Sequence, residues 1–272
     1  MHVDVESHVH YRIANAPVLQ HPFPHFYVES VFPDDFYREL RNRLPALASY
    51  QRIDETGSVT KGLYQARYVC SITDLEEREA AEGSGAEGGG TFWLDLNRWL
   101  GGSGFARLMI DKFGPAVRAR FGDGAELQIE MDNRLVRDFT TYAIPPHTDN
   151  PRKLVSLLFY LPPDDRFREL GTSIYAPKDP AMRCDGTAHH RFEHFKRVAT
   201  MAYRPNTLFG FFKTDRAFHG VEPIEVEEVE RDLLLYNVYV AKSTRGAAPP
   251  PDKKAFAWPW QKAQTPAPPD SR

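Results

Sequence analysis

Tyr142-Ala-Ile-Pro-Pro-His-Thr-Asp149 is the stretch on which the reading of this chain turns. His147 and Asp149 flank a single residue, and alternate side chains of an extended backbone share a face, so both can aim at one point. Pro145 and Pro146 end the strand in front of them and fix the backbone that carries the pair. A third donor, His219, stands far along the chain between Phe218 and Gly220 in an apolar stretch, which points its imidazole inward. Two imidazoles and one carboxylate can hold a divalent transition metal.

The ligand set is that of non-haem Fe(II) sites, which bind the metal on one face and keep the other positions open; Mn, Co, Ni and Zn would also suit it. Beyond His219, Arg231 opens the apolar run Leu233-Leu-Leu-Tyr236. A cation buried on such a strand needs an anionic partner. Within the chain Glu227 and Glu228 are candidates, and a carboxylate co-substrate is another.

With the arginine included, the constellation resembles the Fe(II)- and 2-oxoglutarate-dependent oxygenases, over about Leu127 to Val240. The flanks take part: Leu154-Val-Ser-Leu-Leu-Phe-Tyr-Leu161, Gly171-Thr-Ser-Ile-Tyr175, Pro205-Asn-Thr-Leu-Phe-Gly-Phe-Phe212 and Phe218-His-Gly-Val-Glu-Pro-Ile224. The resemblance implies Fe(II) on His147, Asp149 and His219, with 2-oxoglutarate and O₂ as co-substrates. It gives Arg231 the distal carboxylate of 2-oxoglutarate, as a bidentate fork. Part of that family adds a serine two residues on, where this chain has Leu233, so a hydroxyl or amide must come from elsewhere. Tyr142, Tyr160 and Asn133 are the candidates. Halogenating members replace the carboxylate ligand by a small residue; Asp149 therefore implies oxygen chemistry, meaning hydroxylation or a related oxidation.

Composition narrows the classes. With 272 residues, a net charge of −3 and a pI near 6.4, the chain can bury a full core and lacks the basic excess of a nucleic-acid binder. Its apolar runs are strand-length, too short to span a bilayer, and its start is polar and acidic, unlike a signal peptide. Cys70 and Cys184 alone make no disulfide framework; a reduced, cytoplasmic protein is expected, with a single bridge left open.

Along the chain, residues 1–125 read as a helical N-terminal buttress. A short strand is expected within Pro22–Val28. Pro33 then starts a helix carrying Phe36, Leu40 and Leu44, with Asp34 and Asp35 at its positive end. A short helix at Leu75–Ala81 and two between Thr91 and Phe121, parted at Gly101-Gly-Ser-Gly, complete it. Gly83 to Gly90 reads as a flexible loop. Residues 126–244 change character: eight short runs rich in Val, Ile, Leu, Phe and Tyr, punctuated by Gly, Pro and Asp, predict a jelly-roll (double-stranded β-helix, cupin-like) core in an α+β chain. Residues 245–272 are a proline-rich tail.

The expectation is a hydroxylase of a small-molecule or sugar-linked substrate. Alternatives are prolyl-hydroxylase-like modification of a protein and a cupin-like metal-binding or sensor domain without turnover. The insertion 177–204 between strands holds Lys178, Arg183, Arg191, Lys196, Arg197 and Arg204 besides His189, His190 and His194. Such a local excess would steer an anionic substrate to the barrel mouth; a loop kept soluble by its charges is the plain alternative. The three histidines carry no spacing that marks them as ligands.

Overall fold

The computed structural model describes residues 4–83, 91–186 and 188–243. Most of the glycine-rich stretch and the proline-rich tail lie outside them. The strands are β1 (His25–Glu29), β2 (Gln51–Arg52), β3 (Arg67–Ser71), β4 (Leu127–Phe139), β5 (Ile144–His147), β6 (Lys153–Tyr160), β7 (Thr172–Pro177), β8 (Phe195–Met201), β9 (Thr207–Phe212), β10 (His219–Val221) and β11 (Glu230–Ser243). They form a seven-stranded sheet ordered β1-β9-β6-β11-β4-β3-β2 and a four-stranded sheet ordered β5-β10-β7-β8, with antiparallel pairing throughout. This is the jelly-roll core in an α+β chain.

Burial explains why the major sheet's central strands read as unbroken apolar runs rather than alternating ones. β9 is buried at every position. Leu208 and Phe212 join the core beneath the helices, while Phe209 and Phe211 join the cluster shared with Ile174 of the minor sheet. A sheet covered on both faces has no polar side to display.

The covering helices are α1 (Val5–Asn15), α2 (Asp34–Asn42), α3 (Ile72–Gly83), α4 (Phe92–Leu100), α5 (Ser103–Lys112) and α6 (Gly114–Phe121). α2 starts after Pro33 with Asp34 and Asp35 in its first turn and buries Tyr37 and Leu40. Two helices expected between 91 and 121 are three, because Pro115 in the first turn of α6 opens a new helix after Phe113. α1 escapes notice in the sequence because only Val9 and Ile13, one turn apart, are buried in a polar segment. The N-terminal region also supplies sheet: β1 pairs with β9, and β3 pairs with β4. β8 begins at Phe195, which shortens the inter-strand insertion. Cys70 and Cys184 are both unpaired.

Asn206 ties the N-terminal region to the barrel. Its amide brackets one residue, Oδ1 accepting from Phe32 N at 2.8 Å and Nδ2 donating to Phe32 O at 2.9 Å, while its backbone turns at φ 56°. Asparagine tolerates that left-handed conformation better than most residues. Asn206→Ala strands two buried backbone groups, each costing about 1–3 kcal/mol. Urea unfolding of this variant should therefore show a loss of about 2–6 kcal/mol; a change under about 0.5 kcal/mol, the range of an ordinary surface substitution, would mean the tie carries no weight.

Candidate metal centre

The register of the minor sheet makes the site. In the β5–β10 pair His147 lies directly opposite His219, and opposed residues of an antiparallel pair project from one face a few ångströms apart. The imidazole centroids are 4.4 Å apart. Asp149, two residues past His147, returns to the same side, with Oδ2 3.9 Å from His219 Nε2. One donor atom from each residue lies within 4.8 Å of the others.

The protonation states fit a metal. His147 Nδ1 bonds to Pro145 O at 3.0 Å and His219 Nδ1 to Ala217 O at 2.9 Å. A carbonyl only accepts, so each Nδ1 carries the proton and each Nε2 keeps its lone pair. Burial, reinforced by the facing His219, pushes His147 well below its ordinary value, and burial lowers His219 too. Burial opposes ionisation of Asp149, but the Lys153 ammonium outweighs it and holds the carboxyl well below the usual carboxylate range. Lys153 Nζ donates to Asp149 Oδ1 at 3.0 Å and Ser156 Oγ to Oδ2 at 2.8 Å. Two neutral imidazoles and an oriented carboxylate are what a divalent transition metal requires.

The triad lines a cavity of about 130 Å³ between the sheets, walled by Leu158, Phe211 and Leu235 and carrying Arg67, Tyr142 and Thr172. Tyr142 is 1% exposed, and its hydroxyl has no hydrogen-bond partner. The Arg67 guanidinium lies 4.2 Å from the centroid of the Tyr142 ring.

The expected site residues divide. His147, Asp149, His219 and Tyr142 line the cavity. Arg231 is 0% exposed, and its guanidinium is taken up by the chain: Nε donates to Leu170 O at 2.6 Å, Nη1 to Asp138 Oδ2 at 2.7 Å and Nη2 to Thr172 Oγ1 at 3.4 Å. Its anionic partner is therefore Asp138, not Glu227 or Glu228. The same Asp138 carboxylate receives a bidentate fork from Arg67, at 2.6 and 2.8 Å. Tyr160 and Asn133 do not line the cavity: the Tyr160 hydroxyl accepts from Thr172 N, and Asn133 reaches Asn97 of α4 on the helix-covered face.

Sequence reasoning passed over Arg67, Lys153, Ser156 and His189. Ser156 was the one polar residue in an apolar run, and that was its signal. Arg67 and Lys153 arrive through pairings that no local pattern discloses. His189, read as unremarkable, forms an isolated bridge with His147, and its ring lies 4.8 Å from that ligand. Tyr64 Oη bonds to His189 Nε2 at 2.9 Å. The insertion is also less positive than its composition suggests. Arg183 pairs with Asp215, Arg197 with Glu222, and Arg204 with Glu29 and Asp165.

No protein-family model matches the chain, and no curated protein matches it. Solved structures do. The non-heme alpha-ketoglutarate-dependent epimerase SnoN from nogalamycin biosynthesis is similar over 88% of this chain and 82% of its own, with 14% identity and a TM-score of 0.50. A prolyl-4-hydroxylase from Pseudomonas putida, 12% identical, matches 87% of this chain and 99% of its own at a TM-score of 0.45. HygX from Streptomyces hygroscopicus, solved with nickel and 2-oxoglutarate bound, matches 80% and 83% with 13% identity and a TM-score of 0.38. The likeness to SnoN is one of fold. No helix among the described residues is long and apolar enough to cross a membrane.

The lowered histidine pKa values set a pH dependence. A proton competes with a metal for Nε2 only once the pH falls to the imidazole pKa, which both sites hold below 6.5. Co(II) affinity should therefore stay constant from about pH 7.5 to the ordinary histidine midpoint and fall only in more acid solution. Titrations at both ends check this; a clear weakening by the midpoint would mean the imidazoles titrate as exposed ones do.

Proposed function

We propose that the chain is an Fe(II)- and 2-oxoglutarate-dependent dioxygenase that oxidises a C–H bond of a small-molecule or sugar-linked substrate, by hydroxylation. One observation carries the reading: three metal donors within 4.8 Å of one another share the wall of one cavity with a cation and an unpartnered hydroxyl. That pairing suits a co-substrate with a keto-acid end for the metal and a second carboxylate for the far end.

When bound, Fe(II) with 2-oxoglutarate supplies the O₂-dependent oxidising power, and succinate and CO₂ are its by-products. The chain's own residues supply the rest. His147, Asp149 and His219 hold the metal. Ser156 and Lys153 keep Asp149 ionised and turned toward the histidines. Leu158, Phe211 and Leu235 exclude water. Arg67 and Tyr142 receive the distal carboxylate, the first by charge and the second by donating its idle hydroxyl. Arg231 acts with them through Asp138. One carboxylate between two guanidiniums leaves a positive charge over, and an incoming anion balances it. A cupin-like sensor without turnover has no use for that surplus. The intact Asp149 supports oxygen insertion; an epimerase would return a product of unchanged mass, so mass spectrometry separates the two reactions.

The anaerobic protein with Fe(II) and 2-oxoglutarate should develop a metal-to-ligand charge-transfer band, and air should then release succinate. His219→Ala should abolish both; succinate at the parent rate would overturn the triad. Removal of a buried charge-assisted partner costs about 2–5 kcal/mol. Arg67→Ala and Arg231→Ala should therefore each raise the 2-oxoglutarate KM more than tenfold while leaving Co(II) affinity nearly intact. Tyr142→Phe, which deletes one hydroxyl, should raise it by about threefold to tenfold. A KM unmoved in the Arg67 and Tyr142 variants alone would return the anchor to Arg231.

A further inference from the structure

The insertion between β7 and β8 does not merely overhang the site; part of it is wrapped along the ligand-bearing segment 146–149. His190 N donates to Pro146 O at 2.8 Å, and His189 bridges His147. The side chain of Thr148, facing away from the metal, donates to Cys184 O at 2.8 Å. Cys184 N in turn donates to Asp215 O at 2.8 Å, on the link between β9 and β10. Gly186, at φ 101°, lies so close to Asp149 that an added Cβ would sit 2.0 Å from its carbonyl oxygen. Pro146, His147 and Thr148 are thus bonded to His190, His189 and Cys184, and Asp149 is closely approached by Gly186.

At the middle of these contacts is Lys213, immediately after β9 and 3% exposed. Its Nζ donates to Thr148 Oγ1 at 2.8 Å, Thr214 O at 3.0 Å and Cys184 O at 3.5 Å. All three are neutral oxygens. Burying an ammonium on neutral acceptors is costly, and the neighbouring Phe211 and Phe212 show that the strand end tolerates apolar residues. What a lysine offers here is three donors, shared among the Thr148 hydroxyl and the carbonyls of Cys184 and Thr214.

We propose that Lys213, with Cys184, His189 and His190 of the insertion, is a brace that sets the aim of His147 and Asp149, making Lys213 a positioning residue of the metal site. This rests on the metal reading above. Two modes of action differ in sign. A cation acting only by its charge repels a dication, so its removal would tighten metal binding. A cation acting as a brace fixes the ligand loop, so its removal loosens binding; groups that orient ligands in this way typically contribute tenfold to a hundredfold in metal affinity.

The test is a Co(II) titration of the full chain followed by visible absorption, for the parent, Lys213→Met, Thr148→Val and the double variant, with Tm measured on each metal-free form. Lys213→Met should weaken Co(II) about tenfold or more. Thr148→Val should shift affinity the same way with the metal-free Tm kept, and the double variant should be no worse than Lys213→Met, since both cut one connection. Unchanged or tighter binding in both single variants overturns the brace. If Lys213→Met does not fold, Thr148→Val decides by the same criterion. A parent that binds no Co(II) overturns the metal reading and the brace with it, whereas a binding parent with equally tight variants removes the brace alone.

Discussion

The opposition of His147 and His219 across the β5–β10 pair is the constraint on which the rest depends. Side chains alternate faces along a strand, so a one-residue slip would turn one imidazole out of the barrel. β10 has three residues and cannot hold register unaided. It is fixed from both sides, with His219 opposite His147 on β5 and opposite Ile174 on β7. Packing finishes the alignment: the Phe211 ring, contributed by the major sheet, lies 4.4 Å from His219. A site assembled from a four-residue and a three-residue strand is only as good as the sheet that clamps them.

The major sheet keeps its own register by charge. On β11 and β4, Arg231 stands opposite Asp138 and Asp232 opposite Arg137. Neighbouring positions face opposite sides, so one ion pair lies on the cavity side and the other, with its polarity reversed, under the helices. There Arg41 of α2 adds a second contact to Asp232 at 3.2 Å. A one-residue slip would bring charges to the wrong face and leave them unpaired, the costliest error a buried strand can make. These pairs explain why Arg231 is spoken for by the fold itself while Arg67, attached to the same aspartate, still borders the cavity.

Much of this was legible in the chain. His147, Asp149 and His219 could be read because ligand chemistry restricts residue types, and the strand runs could be read because apolar residues and turn residues alternate along 126–244. Arg231 was legible as a buried cation on a strand, but its partner was not. Asp138 lies far off in sequence and becomes a neighbour only through the β4–β11 ladder. Asn133 misled because strand membership says nothing about which face a side chain takes until register is known, whereas Tyr160 shares the inner face of β6 with Ser156 and Leu158 but has its hydroxyl engaged by Thr172 N. Arg67 and Lys213 were hidden for a further reason: each acts through contacts whose other half lies on a different element, and neither belongs to a spacing pattern.

β5 carries the first ligand at the outer margin of the minor sheet, with β10 on one flank. An outermost strand is ordinarily open to pairing with a foreign chain, which would drag any residue on it out of place. Here Pro145 and Pro146 offer no N–H groups, and His189 and His190 occupy the outward side with a bridge and a hydrogen bond to Pro146 O. The strand is therefore closed to recruitment by another polypeptide. A catalytic margin sealed in this way lets the barrel keep its open mouth for substrate without exposing a sticky backbone beside it.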